Sequence, residues 1–157
     1  MTTHLFRAAD RASLPEFSST HQFNDNAVRH VRTLTQLAGL ARTGLHIVRL
    51  TAGHESTEHH THTNDEEFLV VLSGRGRAVI GDDSFDIEAG DVMAFPEGSP
   101  AHSMSNPYDE DLVYLMGGEC NSNDVVHYPR IERSMVKFGK RRYWTHWSDQ
   151  HELPPKL

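Results

Sequence analysis

Short apolar segments separated by turn-forming residues run through most of this chain. They follow one another at intervals of about 8–12 residues, and several alternate apolar and polar positions, as a strand with one buried face does. The segments cover residues 28–34, 45–52, 66–74, 76–82, 84–89, 91–96 and 111–118. Regularly spaced short strands with no convincing interior helix predict an all-β sandwich or barrel.

The turns and flanks complete this organisation. The Gly81-Asp82-Asp83 sequence has the composition of a hairpin turn. Residues 32–41 carry leucines at helical spacing together with Gly39, which leaves open either one helical turn or an extended arm. We therefore expect a barrel over residues 28–128, an irregular N-terminal extension over 1–27, and an irregular C-terminal tail over 129–157 that packs on the barrel. The tail holds two tryptophans, which would form an apolar patch if they were left in water.

Length and charge narrow the classes of function. A chain of 157 residues fits one domain, and a net charge of -7 argues against a nucleic-acid partner. The only basic cluster, residues 137–142, is interpreted as a solvated turn. Cys120 is the only cysteine, and no segment is apolar enough to span a membrane, so we expect a cytoplasmic protein that does not bind membranes.

Histidines cluster in the sequence EHHTHTNDEE, residues 58–67. Side chains alternate along a strand, so His60 and His62 share one face while His59 points to the other. An acid at the head of the next strand could close around an ion held by this pair, and Glu67 shares its face with Leu69 and Val71. On this segment alone, a metal site and a chance cluster in a histidine-rich chain both remain open.

A second segment, residues 90–106, favours the metal site. It contains a Gly-Asp turn, an apolar strand, a Pro-x-Gly turn and then His102. Residues 53–74 and 90–106 together resemble the two signature motifs of the cupin superfamily. The matching positions are Gly53, His60, His62, Glu67 and Gly74 in motif one, and Gly90, Pro96, Gly98, His102 and Asn106 in motif two. The gaps before His60 and before His102 are each one residue longer than usual, and the face argument favours His60 over His59.

This resemblance implies a double-stranded β-helix, or jelly roll, with a divalent metal held inside the barrel. Its implied ligands are His60, His62, Glu67 and His102. Imidazole and carboxylate ligands suit iron, nickel, manganese, zinc or copper and do not select among them.

The resemblance leaves two classes of function open. One is a small-molecule enzyme of isomerase, lyase or dioxygenase type that uses the metal as a Lewis acid on a small polar organic substrate. The other is a small-ligand binding or sensory module without turnover. Arg49 is the candidate substrate-binding residue. Strand alternation places it on the same face as Leu45 and Ile47, and this face could point into the barrel. We also expect a homodimer, since residues 28–34 need a sheet edge to pair with.

Overall fold

The computed structural model of the protein describes residues 4–152, and strands account for most of them. Two short helices, α1 (Ala8–Ala12) and α2 (Thr35–Ala38), and two 3₁₀ turns (Pro129–Ile131 and Trp147–Asp149) complete the regular structure. The strands are β1 (Phe17–His21), β2 (Asn24–Thr33), β3 (Thr43–Leu50), β4 (Thr61–His62), β5 (Glu67–Ser73), β6 (Arg75–Ile80), β7 (Asp83–Glu88), β8 (Val92–Phe95), β9 (His102–Ser105), β10 (Leu112–Glu119), β11 (Asn123–Tyr128), β12 (Arg133–Phe138) and β13 (Arg141–His146).

These strands form three sheets in which every neighbouring pair is antiparallel. The largest sheet has the order β1-β2-β3-β10-β5-β8, the second β13-β12-β11-β4, and the third β7-β6-β9. Half of the neighbouring pairs join strands that are not consecutive in the chain (β3-β10, β10-β5, β5-β8, β11-β4 and β6-β9), as in a double-stranded β-helix. The predicted all-β jelly roll is therefore confirmed.

The core lies between the sheets, where alternate strand residues point inward. In β3, Val48 and Leu50 are fully buried, and they face Leu112 and Tyr114 of β10, which are buried to the same degree. Burying an aliphatic side chain of this size stabilises the fold by about 1.5–3 kcal/mol. This apolar layer fixes which face of each strand lines the barrel.

Both extensions are more regular than the sequence suggested. On the N-terminal side, β1 and β2 form a hairpin, and β2 adds to the edge of β3. On the C-terminal side, β12 and β13 form a second hairpin that extends the sheet from β11. The expectation of irregular segments was wrong for these parts, because an available sheet edge can pair with a polar segment that has little strand pattern of its own. Residues 1–3 and 153–157 of the two extensions lie outside the described part of the chain.

Two local questions are settled by the structure. Residues 35–38 form a single helical turn, which ends at Gly39 in the left-handed conformation with φ 70°. The strand β2 pairs with β3 of the same chain and so does not need a partner's sheet edge. Among residues 4–152, no helix is long and apolar enough to cross a membrane.

Candidate metal centre

The two histidine-containing segments are joined directly through the main chain. His60, just before β4, and His102, the first residue of β9, form an antiparallel bridge. The His60 amide donates to the His102 carbonyl at 3.1 Å, and the His102 amide donates to the His60 carbonyl at 2.7 Å. Their imidazole centroids lie 4.7 Å apart. The bridge brings two segments that are distant in sequence to one point of the barrel.

Four side chains converge at this point. Single ligand atoms of His60, His62 and Glu67 all lie within 4.8 Å of one another, so these residues form a group that could hold a metal ion. Nε2 of His102 lies 3.1 Å from Oε2 of Glu67, against the same carboxylate. The structure thus brings together all four residues that the sequence singled out as ligands.

In each of the three imidazoles, Nδ1 faces an oxygen atom. For His62 this is a carboxylate oxygen of Asp124 at 2.7 Å. For His60 and His102 it is the main-chain carbonyl two residues earlier, at 3.0 and 3.4 Å. These oxygens only accept, so the short contacts of His60 and His62 place a proton on Nδ1 and leave the Nε2 lone pair free. Such outer hydrogen bonds orient histidine ligands in metal sites.

The contact between His102 and Glu67 provides a further test of fit. In the neutral imidazole of His102, the shorter contact places the proton on Nε2, which donates to the Glu67 carboxylate at 3.1 Å, while Nδ1 lies 3.4 Å from the Pro100 carbonyl. A bound metal ion would take the place of this proton between Nε2 and the carboxylate, and the proton would then move to Nδ1, which faces the Pro100 carbonyl. The donor set of three imidazoles and one carboxylate fits a divalent transition metal.

Burial and neighbouring charges shift the pKa values of these groups. Burial lowers the pKa of His60 to about 3, so this imidazole is neutral at physiological pH. Burial favours the neutral acid for Glu67, but the hydrogen bond to His102 and the nearby imidazoles outweigh it and keep its pKa below the usual value. Neutral imidazole and ionised carboxylate are the forms in which these side chains bind metals.

His62 and Asp124 form a tightly coupled pair. Burial opposes a charge on His62, but the hydrogen bond to Asp124 and the charge of Glu67 raise its pKa overall. Burial also raises the pKa of Asp124, whereas its hydrogen bonds with His62 and with the Asn64 amide outweigh burial and lower it to about 2. Asp124 is therefore ionised except in strong acid, and it holds the His62 ring in place.

The neighbouring candidates point elsewhere. His59 is buried on the other face of the segment, where its Nδ1 lies 3.1 Å from the Ser103 hydroxyl. Glu66 is exposed. The alternation inferred from the sequence therefore agrees with the placement of His60, His62 and Glu67.

The convergent side chains form part of the wall of a cavity of about 480 Å³. Aromatic side chains pack next to them. The ring of Tyr128 stacks on His60 with the centroids 5.7 Å apart, and it contacts Trp144 at a centroid distance of 5.0 Å. Phe23 packs edge-on against Trp144 at 4.9 Å. Apolar and aromatic surface with a few polar groups is typical of pockets that bind small organic molecules.

Arg49 does not line this cavity. Its guanidinium group contacts Glu16 at 2.6 Å and Asp111 at 3.0 Å on the outer face of β3. Hydrogen bonding to Glu16 is the largest cause of the raised pKa of Arg49. Parity grouped Arg49 correctly with Leu45 and Ile47, but this is the face away from Val48 and Leu50, so its proposed place in the pocket was wrong.

Other residues of the cavity were not recognised from the sequence. His21, Arg29 and Arg142 line it, although no motif in the sequence indicates His21 or Arg29, and the segment containing Arg142 was interpreted as a solvated turn. Asp124 was also missed. Strand alternation alone could have grouped Arg142 with Trp144, but the inward face of β13 depends on its pairing with β12.

Comparison with known proteins agrees with this architecture. The family model described as Cupin domain matches residues 46–118. A solved structure from Acidithiobacillus ferrooxidans, provisionally described as a sugar phosphate isomerase, is 32% identical to this chain. The alignment covers 96% of this chain and 97% of that one, with a TM-score of 0.92. The chain therefore belongs to the cupin superfamily.

More distant structures share the fold. A protein from Silicibacter pomeroyi, described as a sugar phosphate isomerase from a cupin superfamily, is 23% identical over 90% of this chain and 94% of its own, with a TM-score of 0.80. One from Thermotoga maritima, described as a predicted oxalate decarboxylase, is 18% identical over 71% and 96%, with a TM-score of 0.59. A search of curated proteins found no match.

Proposed function

We propose that this protein is a metal-dependent enzyme of isomerase or lyase type that acts on a small polar organic molecule inside the barrel. His60, His62, Glu67 and His102 would hold one divalent ion. The observation that carries the proposal is the convergence of these four side chains on the wall of one cavity, with the imidazoles of His60 and His62 oriented through Nδ1. The description of the Acidithiobacillus ferrooxidans relative supports the same class of reaction.

A bound divalent ion would supply Lewis-acid chemistry by polarising a carbonyl or hydroxyl group of the substrate. The chain's own contribution includes Tyr128, which lines the cavity beside His60. Burial raises the pKa of Tyr128 to about 12, so its hydroxyl keeps its proton at neutral pH and can donate to a substrate oxygen. The surrounding aromatic wall excludes water from one side of the bound molecule.

Charged and polar groups in the cavity favour redox-neutral chemistry on a polar substrate over oxygen chemistry on an apolar one. The cavity combines the four proposed ligands with Arg29, Arg142 and His21. Such groups recognise charged or hydroxylated molecules. A protein that binds a ligand without turnover would use the same cavity, and a measurement of turnover distinguishes the two functions.

The test begins with protein purified without a histidine tag, whose metal content is determined. The protein is incubated with aldose and ketose phosphates and with small hydroxy and keto acids, and products are followed by NMR spectroscopy. We expect turnover that is lost on chelation, restored by the same metal, and absent in His102→Ala. Oxygen consumption without isomerisation or bond cleavage would indicate a dioxygenase, and saturable binding without turnover would indicate a binding module. Either result would reject the proposed reaction class.

A further inference from the structure

Two arginines line the same cavity as the proposed metal ligands. Arg29 lies in β2 and Arg142 in β13, so they come from the N-terminal and C-terminal hairpins, outside the Cupin-domain match at residues 46–118. The charges of both arginines act on the hydroxyl of Tyr128. Their positive charges therefore reach the same part of the cavity.

Neither arginine is neutralised by a nearby acid in the described part of the chain. Other arginines do have carboxylate partners, namely Arg32, Arg49, Arg75 and Arg77. Within residues 4–152, no carboxylate lies within 4.0 Å of Arg29 or Arg142. Two guanidinium groups at a partly desolvated cavity favour the binding of an anion.

His21 adds a neutral hydrogen-bond donor to the same wall. Its Nδ1 accepts the Phe23 amide at 3.4 Å, so Nε2 carries the ring proton. Nε2 is buried and has no hydrogen-bond partner among residues 4–152. Burial lowers the pKa of His21, which keeps the ring neutral. A buried N–H without a partner costs free energy, and an acceptor on a ligand would remove that cost.

We propose that Arg29, Arg142 and His21 form a subsite for an anionic oxygen group, a phosphate or a carboxylate, on the substrate. Guanidinium groups bind both kinds of group through charge-assisted and often bidentate hydrogen bonds. The placement of the substrate's reacting part at the metal rests on the proposed function, whereas the binding of the anion does not. The substrate class is therefore a small phosphorylated or carboxylated molecule and not a neutral sugar.

The chain provides a matched control for this assignment. Arg141 precedes Arg142 in β13, so its side chain points to the opposite face of the hairpin, away from the cavity. Both residues are exposed to solvent. Replacing either by glutamine removes one positive charge from the same strand, and only the loss at position 142 removes it from the subsite.

The experiment is a calorimetric titration of the metal-loaded and metal-free protein. The probes are glucose 6-phosphate, glucuronate, glucose and inorganic phosphate. We expect at least one of the two anionic sugars to bind about 10-fold or more tightly than glucose, because glucose lacks the anionic group that would accept hydrogen bonds from the arginines. Arg29→Gln and Arg142→Gln should each remove most of that preference, and Arg141→Gln should retain it. The stronger of the two anionic sugars identifies phosphate or carboxylate as the group recognised.

Equal binding of charged and neutral sugars would overturn the subsite, as would an anion preference that survives in both cavity variants. If Arg29→Gln does not fold, the comparison of Arg142→Gln with Arg141→Gln decides alone, because both positions are exposed. Failure of the proposed function gives a different result. A protein that binds no metal or turns nothing over, yet prefers the anionic sugar through Arg142, retains the subsite and rejects the enzyme.

Discussion

Asp124 accepts a 2.7 Å hydrogen bond from Nδ1 of His62, and only 1% of the Asp124 side chain is exposed. Asp124 lies in β11, whereas His62 lies in β4, and the two strands are neighbours in the four-stranded sheet. The packing of that sheet therefore controls the orientation of one proposed metal ligand.

Asp124→Asn should lower metal affinity about 10- to 100-fold, because the ring of His62 loses a charged partner that fixes its orientation. Competition with a chromogenic chelator measures the change. Asp65→Asn is the comparison variant, since Asp65 is a buried acid close to His62 and Asp124 that pairs with Lys137 and hydrogen-bonds to no imidazole. A larger loss in the Asp65 variant would mean that the local charge, and not the hydrogen bond to His62, supports metal binding.

His102→Ala should abolish most metal binding in a protein that otherwise carries close to one equivalent per chain. His102 comes from motif two and is bridged through the main chain to His60 of motif one, so only a centre with ligands from both motifs requires it. Elemental analysis of protein purified without a histidine tag gives the result. His59→Ala is the control and should keep its metal, because His59 faces Ser103 instead. Full metal content in the His102 variant would contradict the four-ligand centre.

The stability of the metal-free protein should fall as the pH is lowered from about 6.5 towards 3. The pKa of His60 is about 3 in the folded chain, where burial lowers it, and 6.5 for an ordinary histidine, so the unfolded chain binds more protons in this interval. The stability that depends on neutral His60 is present above 6.5 and is lost as the pH falls. Thermal unfolding from pH 7.5 to 4 tests this, and His60→Gln should show a shallower decline. Parallel curves for the two proteins would exclude His60 as the cause.

Gly74→Ala should destabilise the fold more than Gly53→Ala. Both glycines have φ 79°, which costs an alanine about 1–2 kcal/mol. A Cβ at position 74 would also overlap the main-chain carbonyl of Asp111, whereas one at position 53 would meet nothing within 4 Å. The overlap should add about 1–3 kcal/mol. Urea denaturation measures the free energy of unfolding of both variants, and the difference between them gives the cost of the overlap with Asp111. Equal losses would show that only the positive φ destabilises the variants.

We expect a homodimer that forms through the outer face of the six-stranded sheet. Phe68, Leu72 and Val92 are 38%, 40% and 65% exposed on this face, and neighbouring exposed apolar side chains of this kind are typical of protein–protein interfaces. Light scattering should give a dimer mass for the natural chain and a monomer mass for Val92→Lys. Phe85→Lys, a control on the three-stranded sheet, should remain dimeric. A monomer mass for the natural chain across a wide concentration range would contradict the prediction.

Much of the proposed centre could be predicted because its positions are local. His60 and His62 share a face while His59 does not, and this follows from strand alternation within one short segment. Glu67 is placed by the same alternation in the next strand. His102 required the resemblance of residues 90–106 to a known motif, since nothing local indicates that it approaches His60.

The remainder of the site depends on strand pairing. Alternation groups Arg49 with Ile47, but it does not say which of the two faces points inward, and the burial of Val48 and Leu50 decided that Arg49 lies outside. Likewise, Arg29 and Arg142 belong to hairpins at opposite ends of the sequence. They share one cavity only because β2 pairs with β3 and β13 with β12.

The sequence by itself determined the all-β class, the barrel motifs and the local face that carries His60, His62 and Glu67, because these depend on periodicity and spacing over short distances. Only the tertiary structure decided that the terminal segments are strands, that Asp124 orients His62, and that His21, Arg29 and Arg142 line the cavity. These contacts join residues far apart in the chain, and their positions are set by sheet edges and register, which no single segment specifies.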